Sequence, residues 1–233
     1  MFLTLAVRRG ILCDVNSDRT PSAGKAYLVR PGEAGEGVGP AVVVVHSWWG
    51  MNRFIKDTCD RLADLGFVAV APDLFGGVVP DSGEAAEALL EAMDPNVAAG
   101  LLISTVAAAR SASDNPDGPI AVIGYSMGAS WALWLATRQP QSVSKVVAFY
   151  GTQVTDFSEM QARLCGHFAD DDEIVNDDEV VLMCAELFEA GHEPEVWHYR
   201  DVGHFFAEPS APAFDEAAAD LAWLRTVAFL NAD

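Results

Sequence analysis

Basic residues are scarce in this sequence. Lysine and arginine total 14 against 34 aspartates and glutamates, a formal net charge of −20. A surface so acidic repels phosphate backbones and anionic lipid heads, so neither nucleic acid nor a membrane surface is an expected partner. Cysteine is scarce too. Cys13, Cys59, Cys165 and Cys184 lie far apart and form no C-x-x-C pair, which argues against a disulfide framework and a zinc site. No uninterrupted apolar run reaches the ~20 residues of a membrane span. The opening MFLTLAVRRG lacks a basic start, a sustained apolar stretch and a small-residue cleavage site, so it does not read as a signal peptide. Together these absences point to a soluble, cytoplasmic protein.

What is present suits one folded domain. A chain of 233 residues with 51% hydrophobic and 21% charged content can bury a large core, and global disorder is excluded. A single domain over residues 1–233 is expected, because no repeat, low-complexity tract or linker interrupts the chain. Short β-rich runs alternate with helix-like segments. Strands are expected at Lys25–Arg30, Ala41–Val45 (AVVVV), Phe67–Val70, Ile120–Ile123, Val146–Phe149, Arg163–Phe168 and Glu195–Tyr199. An unbroken β-branched run such as AVVVV is what a parallel strand covered on both faces requires. Helices are expected at Arg53–Leu65, Ser82–Met93 (closed by Pro95), Val97–Arg110, Met127–Arg138, Asp178–Glu189 and Pro212–Leu230. The alternation implies an α/β fold. Its central sheet is mostly parallel, with about seven to eight strands and helices on both faces. Ligands of such sheets bind beyond the carboxyl ends of the strands, so chemistry is sought just after each strand.

The sharpest signal is Gly124-Tyr-Ser126-Met-Gly128, a G-x-S-x-G motif between the apolar IAVI and a helix. A nucleophile on this tight turn is raised above the sheet edge, and side chains at 124 or 128 would strike neighbouring backbone. The turn also puts Ser126 at a helix N-terminus, where the N–H of Met127 can stabilise an oxyanion. The plainer alternative, a glycine-flanked serine capping a helix, does not explain the strand before it.

A nucleophilic serine needs a base, and the base an orienting acid. Of the histidines after Ser126, His204 follows the strand EVWHY in Asp201-Val-Gly-His204-Phe-Phe206, with Gly203 to let the loop bend. His198 lies inside that strand, His192 in the loop before it, and His167 inside an earlier strand where packing is its role. The acid should follow Arg163–Phe168, where Asp170, Asp171, Asp172 and Glu173 are all available; chemistry alone does not choose among them.

After AVVVV comes His46-Ser47-Trp48-Trp49-Gly50. The loop at this place supplies a second oxyanion N–H, by position that of Trp48. His46 precedes the nucleophile in the chain and reads as a hydrogen-bonder. Ser47, Trp49, Phe75, Tyr150 and Phe206 lie after strand ends and are candidate pocket walls, with core packing as the alternative for the aromatic ones. No long insertion reads as a lid, although the stretch from Phe75 to Gly83 could fold over the pocket.

These pieces, VVVVHSWWGMN, DRLADLGF, VAVAPDLFGG, IGYSMGA, AFYG, GHFADDDEIV and YRDVGHFF, together resemble the dienelactone hydrolase family of α/β-hydrolases. They run from Val42 to Phe206. The resemblance implies Asp172 as the acid, His204 as the base, and the N–H groups of Trp48 and Met127 as the oxyanion donors. Three departures stand out. The elbow holds Ser126 where the best-known members use cysteine. Ser47 stands where those members place a glutamate against the resting thiol. The two arginines that bind the dienelactone carboxylate fall near Gly77 and Glu208, and a glutamate there would repel an anionic substrate. The expectation is a serine hydrolase of small to medium carboxylic esters or lactones, working through an acyl-enzyme with no metal or organic cofactor, as a monomer or homodimer. Its rivals are a thioesterase, peptidase or perhydrolase on the same triad, and a catalytically inactive ligand-binding scaffold. A third is a dimerisation role for the C-terminal helix, whose Phe214, Leu221, Trp223, Leu224, Phe229 and Leu230 more readily read as core.

Overall fold

The chain was analysed as a computed structural model that describes residues 11–15, 24–32 and 35–232; the opening MFLTLAVRRG and the side chain of Cys13 lie outside the described residues. Its elements run β1 (Ile11–Val15), β2 (Gly24–Val29), β3 (Ala41–Val45), α1 (Arg53–Asp64), β4 (Val68–Pro72), α2 (Gly83–Ala92), α3 (Pro95–Ala112), β5 (Ile120–Tyr125), α4 (Met127–Arg138), β6 (Val143–Phe149), β7 (Arg163–Ala169), α5 (Asp177–Glu189), β8 (Glu195–Tyr199) and α6 (Glu216–Asn231). Tertiary contacts divide them into two compact units. One holds the described residues up to Val44 with Trp49–Gly118; the other holds Val45–Trp48 and the chain from Pro119 onward.

In the first unit the strand order is β1-β2-β4-β3. β1 and β2 pair antiparallel, as do β2 and β4, and β3 pairs parallel with β4. All five residues of β3 and of β4 are buried. Successive strand residues point to opposite sides, so both faces are covered. Helix α1 starts at Asn52, whose side chain accepts the Ile55 N–H at 3.2 Å. It stops before Gly66, at φ +97°, a backbone conformation glycine adopts without strain.

Pro95 plays a different part from the one expected of it. It opens α3 instead of closing the helix before, and Asp94 caps that helix by accepting the N–H groups of Asn96 and Val97. Proline is tolerated at the first helical position because its missing N–H would have no helical partner there.

In the second unit β5-β6-β7-β8 are all parallel. α4 packs on β5 and β6, and α6 on β7. α5 begins with a reciprocal capping box between Asn176 and Glu179. α6 starts later than expected, at Glu216 behind the cap Asp215, because the residues before it form turns. Its buried face includes only part of the large apolar stripe of the sequence reading. Ala218, Ala222, Thr226, Phe229 and Leu230 are buried, while Phe214, Leu221 and Leu224 are exposed. Among the described residues no single helix is long and apolar enough to cross a membrane.

Candidate active site

The second unit carries the candidate catalytic residues Ser126, Asp172 and His204. β5 ends at Tyr125 and α4 begins at Met127, so Ser126 alone makes the turn. Its φ of +51° and ψ of −117° are unusual for a residue with a side chain. Two contacts explain the flanking glycines. A Cβ on Gly124 would strike the Gly128 carbonyl, and one on Gly128 would strike the carbonyls of Val45 and His46. A third glycine is needed that the motif does not include. A Cβ on Gly151, after β6, would strike the Ser126 carbonyl. The Ser126 N–H donates to the Phe149 carbonyl at 2.9 Å, fixing the turn against β6.

Ser126 Oγ lies 2.8 Å from His204 Nε2. On the other side of the ring, His204 Nδ1 lies 2.7 Å and 2.9 Å from the two carboxylate oxygens of Asp172. The side chains of His204 and Asp172 are only 5% and 3% exposed, so water competes little for these bonds. With Nδ1–H donated to Asp172, Nε2 is left to accept the serine proton. Asp172 is itself anchored, its Oδ1 accepting the N–H groups of Ile174 and Val175 at 2.8 Å each. The other carboxylates of the run point elsewhere. Asp170 Oδ1 lies 3.5 Å from His198 Nδ1 with both side chains half-exposed, and Asp171 and Glu173 are exposed.

The candidate oxyanion donors sit around this line. Met127 is the first residue of α4, so no carbonyl one turn back is available to its N–H within the helix. Trp48 follows His46 and Ser47. His46 is fully buried, and its Nδ1 lies 2.6 Å from the Ser47 carbonyl. The ring of Trp48 stacks on Phe205 at 5.9 Å, and Phe205 meets the His204 ring edge-on at 4.3 Å. Phe205 is a site residue the sequence reading missed. Its φ of +64° turns it back onto the base, and nothing local in the sequence signals that for a phenylalanine.

The expected pocket walls divide. Ser47, Tyr150 and Phe206 are buried in the second unit. Tyr150 lies under the His204 ring at 5.0 Å and packs on Phe206 at 5.5 Å. Trp49 and Phe75 belong to the first unit, where Phe75 lies buried beside Gly50. Gly77 is in an exposed turn at φ +99°. Glu208 is a correction to the picture of a carboxylate facing the substrate. It is 0% exposed, with Oε2 accepting from Ser47 Oγ at 3.2 Å and Oε1 from the Tyr150 hydroxyl at 3.1 Å. Burial pushes its pKa up to about 7, against the lowering effect of those two hydroxyls. Burial, and then the Glu208 charge, hold the Tyr150 hydroxyl well above its ordinary value. His167, expected to pack, does so. It is fully buried, with Nδ1 2.9 Å from the Tyr199 hydroxyl and Nε2 3.0 Å from Thr226 Oγ1.

Alternating strands and helices with a nucleophile-type elbow after a central parallel strand define an α/β-hydrolase fold. A crystal structure from Klebsiella pneumoniae subsp. pneumoniae, provisionally assigned as a dienelactone hydrolase, superposes with a TM-score of 0.81 at 24% identity over 97% of this chain and 99% of that one. At that identity the likeness is one of fold. The family model described as "Dienelactone hydrolase family" matches residues 25–233, and the chain belongs to that family, and with it to the carboxylic ester hydrolases. Among similar curated proteins, "Protein usf" of Aquifex pyrophilus is 31% identical over 83% of this chain and 88% of its own length. The carboxymethylenebutenolidase of Pseudomonas putida is 27% identical over 89% and 92%.

Proposed function

We propose that the chain, acting as one α/β-hydrolase domain, cleaves small to medium neutral carboxylic esters or lactones through an acyl-enzyme on Ser126. The observation that carries this reading is the continuous line from Ser126 Oγ through the His204 ring to Asp172, at 2.8 Å and 2.7 Å. In the forward step Ser126 Oγ attacks the carbonyl carbon while His204 Nε2 takes its proton. The N–H groups of Trp48 and Met127 receive the oxyanion, and Asp172 holds the imidazole tautomer and balances the imidazolium. His204 then returns the proton to the leaving alcohol, and water attacks the acyl-enzyme by the same route in reverse. Neutral substrates are favoured because neither Gly77 nor buried Glu208 offers a cation, and the net charge of −20 disfavours anions.

The test is mass spectrometry after treatment with a fluorophosphonate, alongside turnover of matched ester, thioester and amide substrates. One adduct on Ser126, lost in His204→Ala, with ester turnover well above amide, is the expected result. A folded protein that takes no adduct would leave the inactive-scaffold reading in its place. An amide rate equal to the ester rate would make it a peptidase.

A further inference from the structure

Glu208 is a carboxyl group with no exposure, four residues beyond the base, and the proton-transfer steps above do not use it. Its two hydrogen-bond partners belong to different parts of the site. Ser47 directly precedes Trp48, the candidate oxyanion donor, and Tyr150 lies under the His204 ring. Both partners are buried, at 1% and 0% exposure, and Tyr150 is held at φ +38°, a conformation that persists in a non-glycine residue only when its surroundings impose it. Burying a carboxyl is costly, and an apolar side chain of the same size would avoid that cost. Buried, shifted carboxyls beside a reactive centre are characteristic of functional sites.

We propose that Glu208 is a positioning residue: its carboxylate binds the Ser47 loop and Tyr150 together, and its charge state sets the alignment of the oxyanion donor with the base. This rests on the reading of Ser126, His204 and Asp172 as the catalytic groups. The chemistry follows from counting donors. Ser47 and Tyr150 each have one O–H, and an ionised carboxylate accepts both. A neutral carboxyl must itself donate, so one hydroxyl has to turn its hydrogen away and one arm of the clamp is reorganised. The titratable groups around the clamp are Tyr150 at the end of β6, with Tyr125 of β5 and Asp172 of the loop after β7 acting on Tyr150, and His204 on the same loop as Glu208. Because burial pushes the Glu208 pKa up to about 7, the clamp engages as pH rises through neutrality. Loss of the Glu208 proton therefore adds its own rise in activity with pH.

The experiment measures kcat and KM for a p-nitrophenyl ester from about pH 5 to 9 for the wild type, Glu208→Gln and Tyr150→Phe, with the fold checked by circular dichroism. The wild-type profile of log kcat/KM should show a rise of about one log unit around pH 7 that the Gln variant, which mimics the neutral acid, lacks, and the two profiles should converge at acid pH. The Gln variant should lose roughly ten-fold in kcat with KM changed by less than about two-fold, as expected when alignment and not binding is lost. Tyr150→Phe removes a donor to the carboxylate and should move the Glu208 step to higher pH. That variant keeps the idea testable should Glu208→Gln not fold. An active wild type whose pH profile is unchanged in either folded variant would overturn the positioning role and leave the proposed reaction standing. A wild type that neither labels with fluorophosphonate nor turns over ester would overturn both.

Discussion

Asp172 illustrates how one residue is selected from a run of equivalent ones. Four acidic side chains stand in a row from Asp170 to Glu173, and only Asp172 has its carboxylate against His204 Nδ1. The backbone does the selecting, since the Ile174 and Val175 N–H groups fold back onto its Oδ1. Replacement by asparagine keeps an acceptor for those two N–H groups but presents an amide N–H to the ring, which favours the wrong tautomer. Asp172→Asn should therefore lower kcat by roughly 10³–10⁴-fold and leave the melting temperature almost unchanged; calorimetry and ester kinetics on the same preparation would check both. Backbone strain is concentrated around the same centre. Of the four described non-glycine residues with positive φ, Ser126, Tyr150 and Phe205 lie against the His204 ring and Asp201 lies three residues before it.

At the scale of elements, termini matter more than interiors. α2 and α3 are separated only by Met93 and Asp94, and Asp94 alone supplies the cap that starts α3. Its side chain is exposed and makes these two backbone bonds at 2.8 Å and 3.4 Å. Asp94→Ala should cost about 1 kcal/mol of stability, read as a lower denaturation midpoint with an unchanged slope and unchanged kcat. The strands need no such device. The full burial of β3, β4 and β5 stabilises them through apolar area removed from water, at about 25 cal/mol per Å².

Among the described residues, two buried groups of opposite sign make stability respond to pH between about 3 and about 7. Burial lowers the His167 pKa from 6.5 to about 3. The unfolded chain therefore binds more protons between those values, and stability is lost as pH falls through that window, up to about 5 kcal/mol. Burial raises the Glu208 pKa from 4.5 to about 7. Here the folded chain binds more protons, and stability is lost as pH rises through that window, up to about 3 kcal/mol. Between pH 4.5 and 6.5, the overlap of the two windows, the contributions offset each other. Glu208→Gln removes one of them. Its stability, followed by denaturant unfolding, should rise relative to wild type as pH increases above about 5, and the difference should vanish in more acidic buffer. A difference that grew toward acid pH would contradict the assignment.

Much of this protein was readable in one dimension. The strand AVVVV, the helix Met127–Arg138 and the elbow Gly124–Gly128 declare themselves because periodicity and steric need act over a few neighbouring residues. The order of serine, acid and histidine is likewise a property of the chain, and His204 was identifiable from the strand before it. Other features depend on residues far apart in sequence. The requirement for glycine at 151 comes from the Ser126 carbonyl, and the packing of Phe205 on His204 comes from a backbone turn. The exposure of Leu221 and Leu224 follows from which face α6 turns inward, that of Ala218, Ala222, Thr226, Phe229 and Leu230. Glu208 is the plainest case. By sequence it was a charge that would repel an anionic substrate; the fold buries it between Ser47, 161 positions away, and Tyr150, 58 away. Composition and local pattern determine which segments form and where the reactive groups sit along the chain. Desolvation and long-range hydrogen bonding, which decide the ionisation of those groups, arise only once the strands have brought them together.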